Sequence, residues 1–353
     1  MNIGSTLTMK IKSVDRTSRA FLLRWDDDTQ QELPFIWLRD NDPGELHPDT
    51  QERTFDLTSV PLYVQPASFS FETNALTIRW PERNNESTYS SKWLTEYRLG
   101  KPAQDPAKID QESWLPSDMQ TMLRFDARKC KDNEGLLEVL TAMKRYGLAL
   151  IENLGDDPHA GEQFGDLIGF KRQSNFGVMF DVISKPDPNN LAYTSISLPL
   201  HTDLPNQELV PGFQFLHCYK NNTTGGASVL ADGLAIIEDF KRDFPEHYAL
   251  LSEIDVPFRF HDETCDIRRQ RRVIDIDANG NLRNFTFNGH IADIPCLPAD
   301  QTYSFYAAYR TLMQRIRSDD YSIRYTLQPG EMVIFDNRRV MHGRDSFDPT
   351  AGE

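Results

Sequence analysis

The sequence predicts an α+β fold that is mainly β: a barrel or sandwich of short strands backed by a few helices, after a small β-rich domain. Three observations carry this reading. Short β-branched or aromatic runs recur through both halves of the chain, helical periodicity is confined to a few stretches, and one proline-rich polar segment divides the halves.

Residues 1–98 hold "AFLLRW" (20–25), "LPFIWLRD" (33–40), "VPLYV" (60–64) and "ALTIRW" (75–80), each expected to be a strand. Residues 99–118 carry three prolines among polar residues and are expected to be a linker. The second domain, 119–353, opens with "NEGLLEVLTAMKRYG" (133–147), whose apolar positions share one helical face, with Gly147 as C-cap. "LALIENL" (148–154) reads as a buried strand. Further helices are expected over 233–253, broken near Pro245, and over 299–319. Strands are expected at 213–219, 228–231, 256–260, 272–276, 283–287, 322–327 and 332–335.

The chain has 353 residues, 39% of them hydrophobic, enough for a sizeable core. No apolar run approaches the roughly 18–20 residues that span a bilayer. The N-terminus lacks the pattern of a signal peptide, so a cytoplasmic protein is expected. A net charge of −15 argues against a nucleic-acid binder. The four cysteines, Cys130, Cys218, Cys265 and Cys296, are scattered and form no CxxC, which fits reduced thiols.

The chemistry starts from "PLHTDLPN" (199–206). His201 and Asp203, two apart at a strand end, point to the same side of the chain. With a histidine from a distant strand they would form the facial triad of non-haem Fe(II) oxygenases, and His342 in "GEMVIFDNRRVMHGR" (330–344) is the candidate. Taken alone, the pair is better described as an aspartate capping an ordinary turn.

Longer motifs add to this. "NNLAYTSISLPLHTDLPN" (189–206), "PGFQFLHCYKNNTTGGASVLADG" (211–233) and "GEMVIFDNRRVMHGRDSF" (330–347) resemble the Fe(II)/2-oxoglutarate dioxygenases of the taurine dioxygenase superfamily. Within that group the chain most resembles the γ-butyrobetaine and trimethyllysine hydroxylases, and "PFIWLRDNDP" (34–43) and "LTIRWPE" (76–82) resemble their accessory domain. The resemblance implies a double-stranded β-helix, or jelly roll, binding Fe(II) through His201, Asp203 and His342. It implies 2-oxoglutarate and O2 as co-substrates, with ascorbate stimulating. "TGGAS" (224–228) resembles the segment that contacts 2-oxoglutarate, with Ser228 as the contact. A hairpin turn on Gly225-Gly226 explains the same residues locally.

The implied substrate is a small trimethylammonium compound, best γ-butyrobetaine hydroxylated to carnitine. Trimethyllysine and 2-(trimethylamino)ethylphosphonate are the alternatives, and a non-catalytic quaternary-ammonium binding protein is the alternative of another class. A quaternary cation donates no hydrogen bond and is recognised by aromatic faces. The resemblance assigns Phe176, Phe180 and Tyr193 to that cage, Asn190 and Asn288 to polar substrate contacts, and leaves Asp181 as a possible added negative charge. A phosphonate would want further donors beside Asn190 and Asn288, for which Arg172 and Arg283 are the arginines to consider. A possible homodimer follows from family habit.

Two departures from the family pattern stand out. The family's arginine for the distal carboxylate of 2-oxoglutarate lies about a dozen residues after the second histidine, suited to a bidentate clamp. The sequence ends at Glu353, where that arginine and a closing strand would come, and a longer natural chain is expected. The accessory domain has no cysteine, and "WLRDNDPGELHPDTQER" (37–53) offers only His47, so a structural zinc is not expected. Polar pairing by Arg39, Asp40 and Asp42 is expected in its place.

Overall fold

Side chains alternating inward and outward along eight strands organise the larger of the chain's two units. The computed structural model describes residues 9–101, 105, 107–119, 123–184, 191–222 and 224–348. It divides into Met1–Lys108 and Ile109–Glu353, at a point inside the expected linker. Trp114, from the later part of that linker, belongs to the second unit's core. Its backbone N–H donates to Asp232 Oδ2 at 3.0 Å and its indole N–H to the Tyr146 carbonyl at 2.9 Å.

In the second unit one sheet runs, in spatial order, Phe213–Cys218, Glu331–Asp336, Leu148–Glu152 and Arg124–Asp126. The other runs Ser322–Tyr325, Ser228–Asp232, Val340–Arg344 and Leu198–His201. Pairing is antiparallel except for the parallel contact of Arg124–Asp126 with Leu148–Glu152. Leu148, Leu150, Val333 and Phe335 of the first sheet meet Leu230 and Val340 of the second in one buried cluster. The sheets therefore pack face to face as a jelly roll. The intervening residues point outward. Ala149, Ile151, Met332 and Ile334 pack under the helix Asn133–Tyr146. Ala231 and Met341 pack against the helices Gly233–Asp243, Pro245–Glu253 and Ala299–Ile316.

The helical expectations correspond closely to these elements, with Gly147 in a left-handed conformation at the end of the first helix and Pro245 dividing the second. The run 272–276 is not one strand. Asp266–Arg272 forms a hairpin with Asp255–His261, and Ile274–Ile276 pairs instead with Leu282–Phe285. The expected turn at Gly225-Gly226 is a turn of positive φ (92° and 71°), but Thr224–Gly225 pairs with Phe347–Asp348 rather than closing a hairpin on Ser228.

The first unit has two three-stranded sheets, Ile11–Arg16, Ala20–Trp25, Gln30–Pro34 and Ser68–Glu72, Ala75–Arg79, Ser87–Ser90. Phe21, Leu23, Trp25, Leu33, Leu76, Ile78 and Trp80 form its core. Two expected strands are corrected here. "LPFIWLRD" turns at Pro34 into the helix Phe35–Asp40, because Phe35, Leu38 and Arg39 recur at helical spacing and are buried together. "VPLYV" is a turn with Leu62 and Tyr63 exposed; the Val64 N–H returns to the Pro61 carbonyl at 2.9 Å.

The polar pairing expected near "WLRDN" is present, with partners from elsewhere in the unit. Arg39, Asp40 and Asp42 do not pair with one another. Arg39 is 3% exposed and reaches Glu82 at 2.6 Å and Glu45 at 3.2 Å, with its guanidinium over the Phe55 ring at 3.8 Å. Asp42 takes Arg83 and the Ser87 hydroxyl, and Asp40 takes Arg53.

A second buried ion pair anchors the strand that carries His342. Arg339 and Asp232, both almost fully buried, form a two-pronged pair at 2.8 Å on each prong. Arg339 also donates to the carbonyls of Arg145 (2.7 Å) and Glu112. Asp232 accepts from the Leu234 N–H at 3.0 Å and so caps the helix Gly233–Asp243. Breaking one partner of such a pair strands the other charge in the core. Arg339→Met is expected to cost roughly 3–5 kcal/mol. Hydrogen exchange of the Val340–Arg344 amides measures it, and a loss under about 1 kcal/mol contradicts the anchoring role.

Candidate metal centre

Ladder register brings the two histidines together. His342 pairs directly with Leu230 on one side and with His201 on the other. Leu230 points between the sheets, so its cross-strand partner His342 does as well, and so does His201 opposite His342. The strand Leu198–His201 comes very close to its partner. A Cβ at Gly343 would lie 2.5 Å from the Leu198 carbonyl oxygen, so only glycine fits there.

Asp203 follows His201 by two and completes the cluster. His201 Nε2 lies 3.2 Å from Asp203 Oδ1, and His342 Nε2 lies 3.4 Å from Asp203 Oδ2. One ligand atom from each of the three side chains lies within 4.8 Å of the others. His201 Nδ1 faces the Pro199 carbonyl at 2.9 Å, which makes Nδ1 the protonated nitrogen and leaves the Nε2 lone pair toward the cluster. The His342 ring packs at 4.6 Å on Phe335 from the facing sheet. Two imidazole nitrogens and one carboxylate, with further positions open, are the donor set of a non-haem Fe(II) site.

The electrostatics suit a cation. Burial alone would raise the Asp203 carboxyl, but the His342 and His201 imidazoles outweigh it and hold the acid well below the usual carboxylate range. Burial pulls His201 down, while Asp203 and the Pro199 carbonyl more than reverse this. Burial is also the main cause lowering His342, with the charge of His201 adding to it. The carboxylate is thus ionised and one imidazole favours neutrality before any metal enters.

The turn that presents Asp203 is held by a residue the sequence reading missed. Asn337 is 1% exposed. Its Oδ1 accepts from the Asp203 N–H at 2.6 Å, and its Nδ2 donates to the carbonyls of Asp203 (3.1 Å) and Pro211 (3.2 Å). Gln214, from the facing sheet, donates to Asp203 Oδ2 at 3.0 Å. Asn337 lies inside "FDNRRVMHGR", but nothing in the linear sequence shows that this turn folds onto Asp203.

The remaining expected site residues fall into three groups. Ser228 is half-buried, opposite Arg344 and two residues from Leu230, so it shares the inward face with His342. The three aromatics form a chain of ring contacts: Phe176 edge-on to Phe180 at 5.5 Å, and Phe180 stacked on Tyr193 at 5.1 Å. Asp181, next in sequence, is exposed. One end of this wall is tied to the strand of His342 and the other to the segment after Asp203. Arg344, two residues beyond His342, donates to the carbonyls of Ala192, Thr194 and Ile196 around Tyr193. Asn175, beside Phe176, accepts from Gln207 at 2.8 Å in the segment after Asp203.

Asn288 has another engagement. It is buried, its Nδ2 donates to the Thr202 carbonyl at 3.0 Å, and its Oδ1 accepts from the His290 N–H at 3.0 Å. The amide thus ties the Thr202 carbonyl to the loop that carries Asn288 and His290. Asn190 lies outside the described residues. Arg172 is engaged with the carbonyls of Leu209 and Val210, and Arg283 lies 3.7 Å from Asp275.

Asn337→Ala removes the acceptor for the Asp203 N–H and frees the turn. It is expected to weaken binding of Mn(II), used as a probe for Fe(II), by about 10–100-fold. Titration followed by the electron paramagnetic resonance of free Mn(II) reads this, and unchanged affinity contradicts it.

Residues 115–353 match the family of taurine catabolism dioxygenase TauD, TfdA, and residues 12–95 match the gamma-butyrobetaine hydroxylase-like N-terminal domain. The chain is 34% identical over 335 residues to gamma-butyrobetaine dioxygenase of Pseudomonas sp. (strain AK-1), covering 93% of this chain and 87% of that protein. It is 28% identical to Homo sapiens gamma-butyrobetaine dioxygenase over 92% of this chain and 86% of that one. It is also 28% identical to Homo sapiens mitochondrial trimethyllysine dioxygenase, over 90% and 78%. The jelly roll, the His–Asp–His cluster at its inner face and these matches make the chain a member of the TauD/TfdA family of Fe(II)- and 2-oxoglutarate-dependent dioxygenases.

Proposed function

We propose that this enzyme hydroxylates γ-butyrobetaine to carnitine, holding Fe(II) through His201, Asp203 and His342. Bound Fe(II) with 2-oxoglutarate and O2 supplies the chemistry: the oxo acid becomes succinate and CO2, one oxygen atom entering succinate and the other the substrate C–H bond. The chain's own residues do the rest. Asn337 and Gln214 fix the carboxylate, and Asn288 and Thr202 fix the turn between the two ligands. Ser228 is the proposed 2-oxoglutarate contact, since it shares the inward face with His342.

The observation that carries the substrate reading is the aromatic wall of Phe176, Phe180 and Tyr193, anchored at one end to the strand of His342 and at the other to the segment after Asp203. Such a wall offers π faces to a trimethylammonium group. Asp181 beside it adds negative charge. The similarity to gamma-butyrobetaine dioxygenase along nearly the whole chain supports the same substrate. The similarity to trimethyllysine dioxygenases supports trimethyllysine as the second reading. With Arg172 and Arg283 engaged elsewhere, a phosphonate finds no arginine of the two to receive it. The acidic charge supports a free small molecule rather than nucleic acid as partner, and a cytoplasmic setting completes the proposal. No helix among the described residues is long and apolar enough to cross a membrane.

The test offers γ-butyrobetaine, trimethyllysine and 2-(trimethylamino)ethylphosphonate separately with Fe(II), ascorbate and 2-oxoglutarate. Succinate formed in step with an oxygen atom gained by γ-butyrobetaine is the expected result, and substrate-dependent succinate from none of the three rejects the cage. Phe180→Leu is expected to raise KM for the quaternary substrate about 5–30-fold, the loss of roughly 1–2 kcal/mol of cation–π attraction. An equal rise for its uncharged tert-butyl analogue would show that only packing was lost.

A further inference from the structure

The run "RRQRR" (268–272) reads as a solvated charged face, and three of its arginines behave so. Arg268 pairs with Asp266, Arg272 lies 4.0 Å from Asp255, and Arg269 reaches Glu208 at 2.6 Å, all exposed. Arg271 is different. It is half-buried, and its guanidinium donates to three backbone carbonyls: Pro205 at 2.9 Å, Glu208 at 2.7 Å and Gln207. These belong to the segment that leaves Asp203. That segment begins at Leu204 with φ +53°, a left-handed conformation that a leucine rarely adopts. Such a conformation persists only where its surroundings over-determine it. Asn337 fixes the residue before it and Arg271 the residue after it.

The hairpin bearing Arg271 also touches the aromatic wall. Phe260, opposite Ile267 in the ladder, shares the face that carries Arg269 and Arg271. Its ring meets Phe176 edge-on at 5.1 Å. The wall in turn is joined to the segment after Asp203 by Gln207 to Asn175 and by Arg172 to Leu209 and Val210. Hairpin, segment and wall close a circuit of contacts beside the Asp203 turn.

We propose that Arg271 is a positioning residue: it locks the segment Pro205–Glu208 to the hairpin Asp255–Arg272, and so fixes the distance between the Phe176 wall and the Asp203 turn, with Phe260 as the hairpin's contact to that wall. This rests on the substrate reading above only for what the wall holds. A flexible wall lets the oxo acid be decarboxylated while the substrate C–H bond is out of place. The consequence is uncoupled turnover rather than loss of metal.

The experiment uses the full chain as wild type, Arg271→Met and Arg271→Lys. Hydrogen exchange in peptides spanning 204–210 and 172–180 is expected to quicken about tenfold or more in Arg271→Met, since charged hydrogen bonds to backbone are lost. Lysine, a single-point donor, is expected to restore part of the protection. The strand Leu148–Glu152 is expected to exchange as in wild type. Hydroxylated product per succinate is expected to fall about twofold or more, as the reacting bond leaves its position. Mn(II) affinity is expected to stay within about threefold, because Asn337 and Gln214 still hold Asp203. Unchanged exchange in both peptides with wild-type coupling overturns the proposal. If Arg271→Met loosens the whole unit, Gln207→Ala decides: faster exchange confined to 172–180 supports the circuit, and no change there overturns it. A wild type that oxidises no trimethylammonium compound sinks the substrate reading alone, because the exchange arm needs no substrate.

Discussion

The arrangement depends on one constraint, the antiparallel register that sets His342 opposite His201. A slip of one residue would turn one of the two imidazoles from the space between the sheets toward the outer helices. Several features pin that register. Gly343 lets the Leu198–His201 strand come within backbone contact of its neighbour. Leu230 and Val340 bury inward while Ala231 and Met341 bury outward, so each face of the strands is specified. The buried Arg339–Asp232 pair joins the turn before His342 to the strand alongside it.

Asp203 depends on that register indirectly. It stands on no ladder. Its position follows from the turn it sits in, and the turn from Asn337, Gln214, Thr202 and Asn288. Asn337 and Arg339 occupy the same short turn between the strands Glu331–Asp336 and Val340–Arg344. One face of that turn grips the ligand segment and another grips the buried acid. Metal geometry and core stability are therefore coupled through three consecutive residues, Asn337 to Arg339.

Much of this was legible in the sequence, for definable reasons. Strand periodicity puts His201 and Asp203 on one side of the chain, and the resemblance of the longer motifs to the family picks them out together with His342. The helices at 133, 233 and 299 carry clear 3.6-residue periodicity with recognisable stops. What was not legible depends on long-range partners. "LPFIWLRD" has β-prone residues, and only the burial of Phe35, Leu38 and Arg39 on one side decides for helix. "VPLYV" has the composition of a strand without a partner to bury it. The resemblance assigns Asn288 to a substrate contact, and its backbone partners are invisible in one dimension. In three it is engaged with Thr202 and His290. Arg271 could not be told from its charged neighbours, since the difference lies in which carbonyls its face of the hairpin meets.

His201, Asp203 and His342 are proposed to form the centre on which Fe(II) and 2-oxoglutarate bind together. The most direct measurement is the visible charge-transfer absorption that develops when Fe(II) and 2-oxoglutarate are added without oxygen. The band is expected in the wild-type protein and its loss in both His201→Ala and His342→Ala, with the far-ultraviolet circular dichroism of the fold retained. A band that survives both substitutions, or none in a wild type that binds iron, would contradict it.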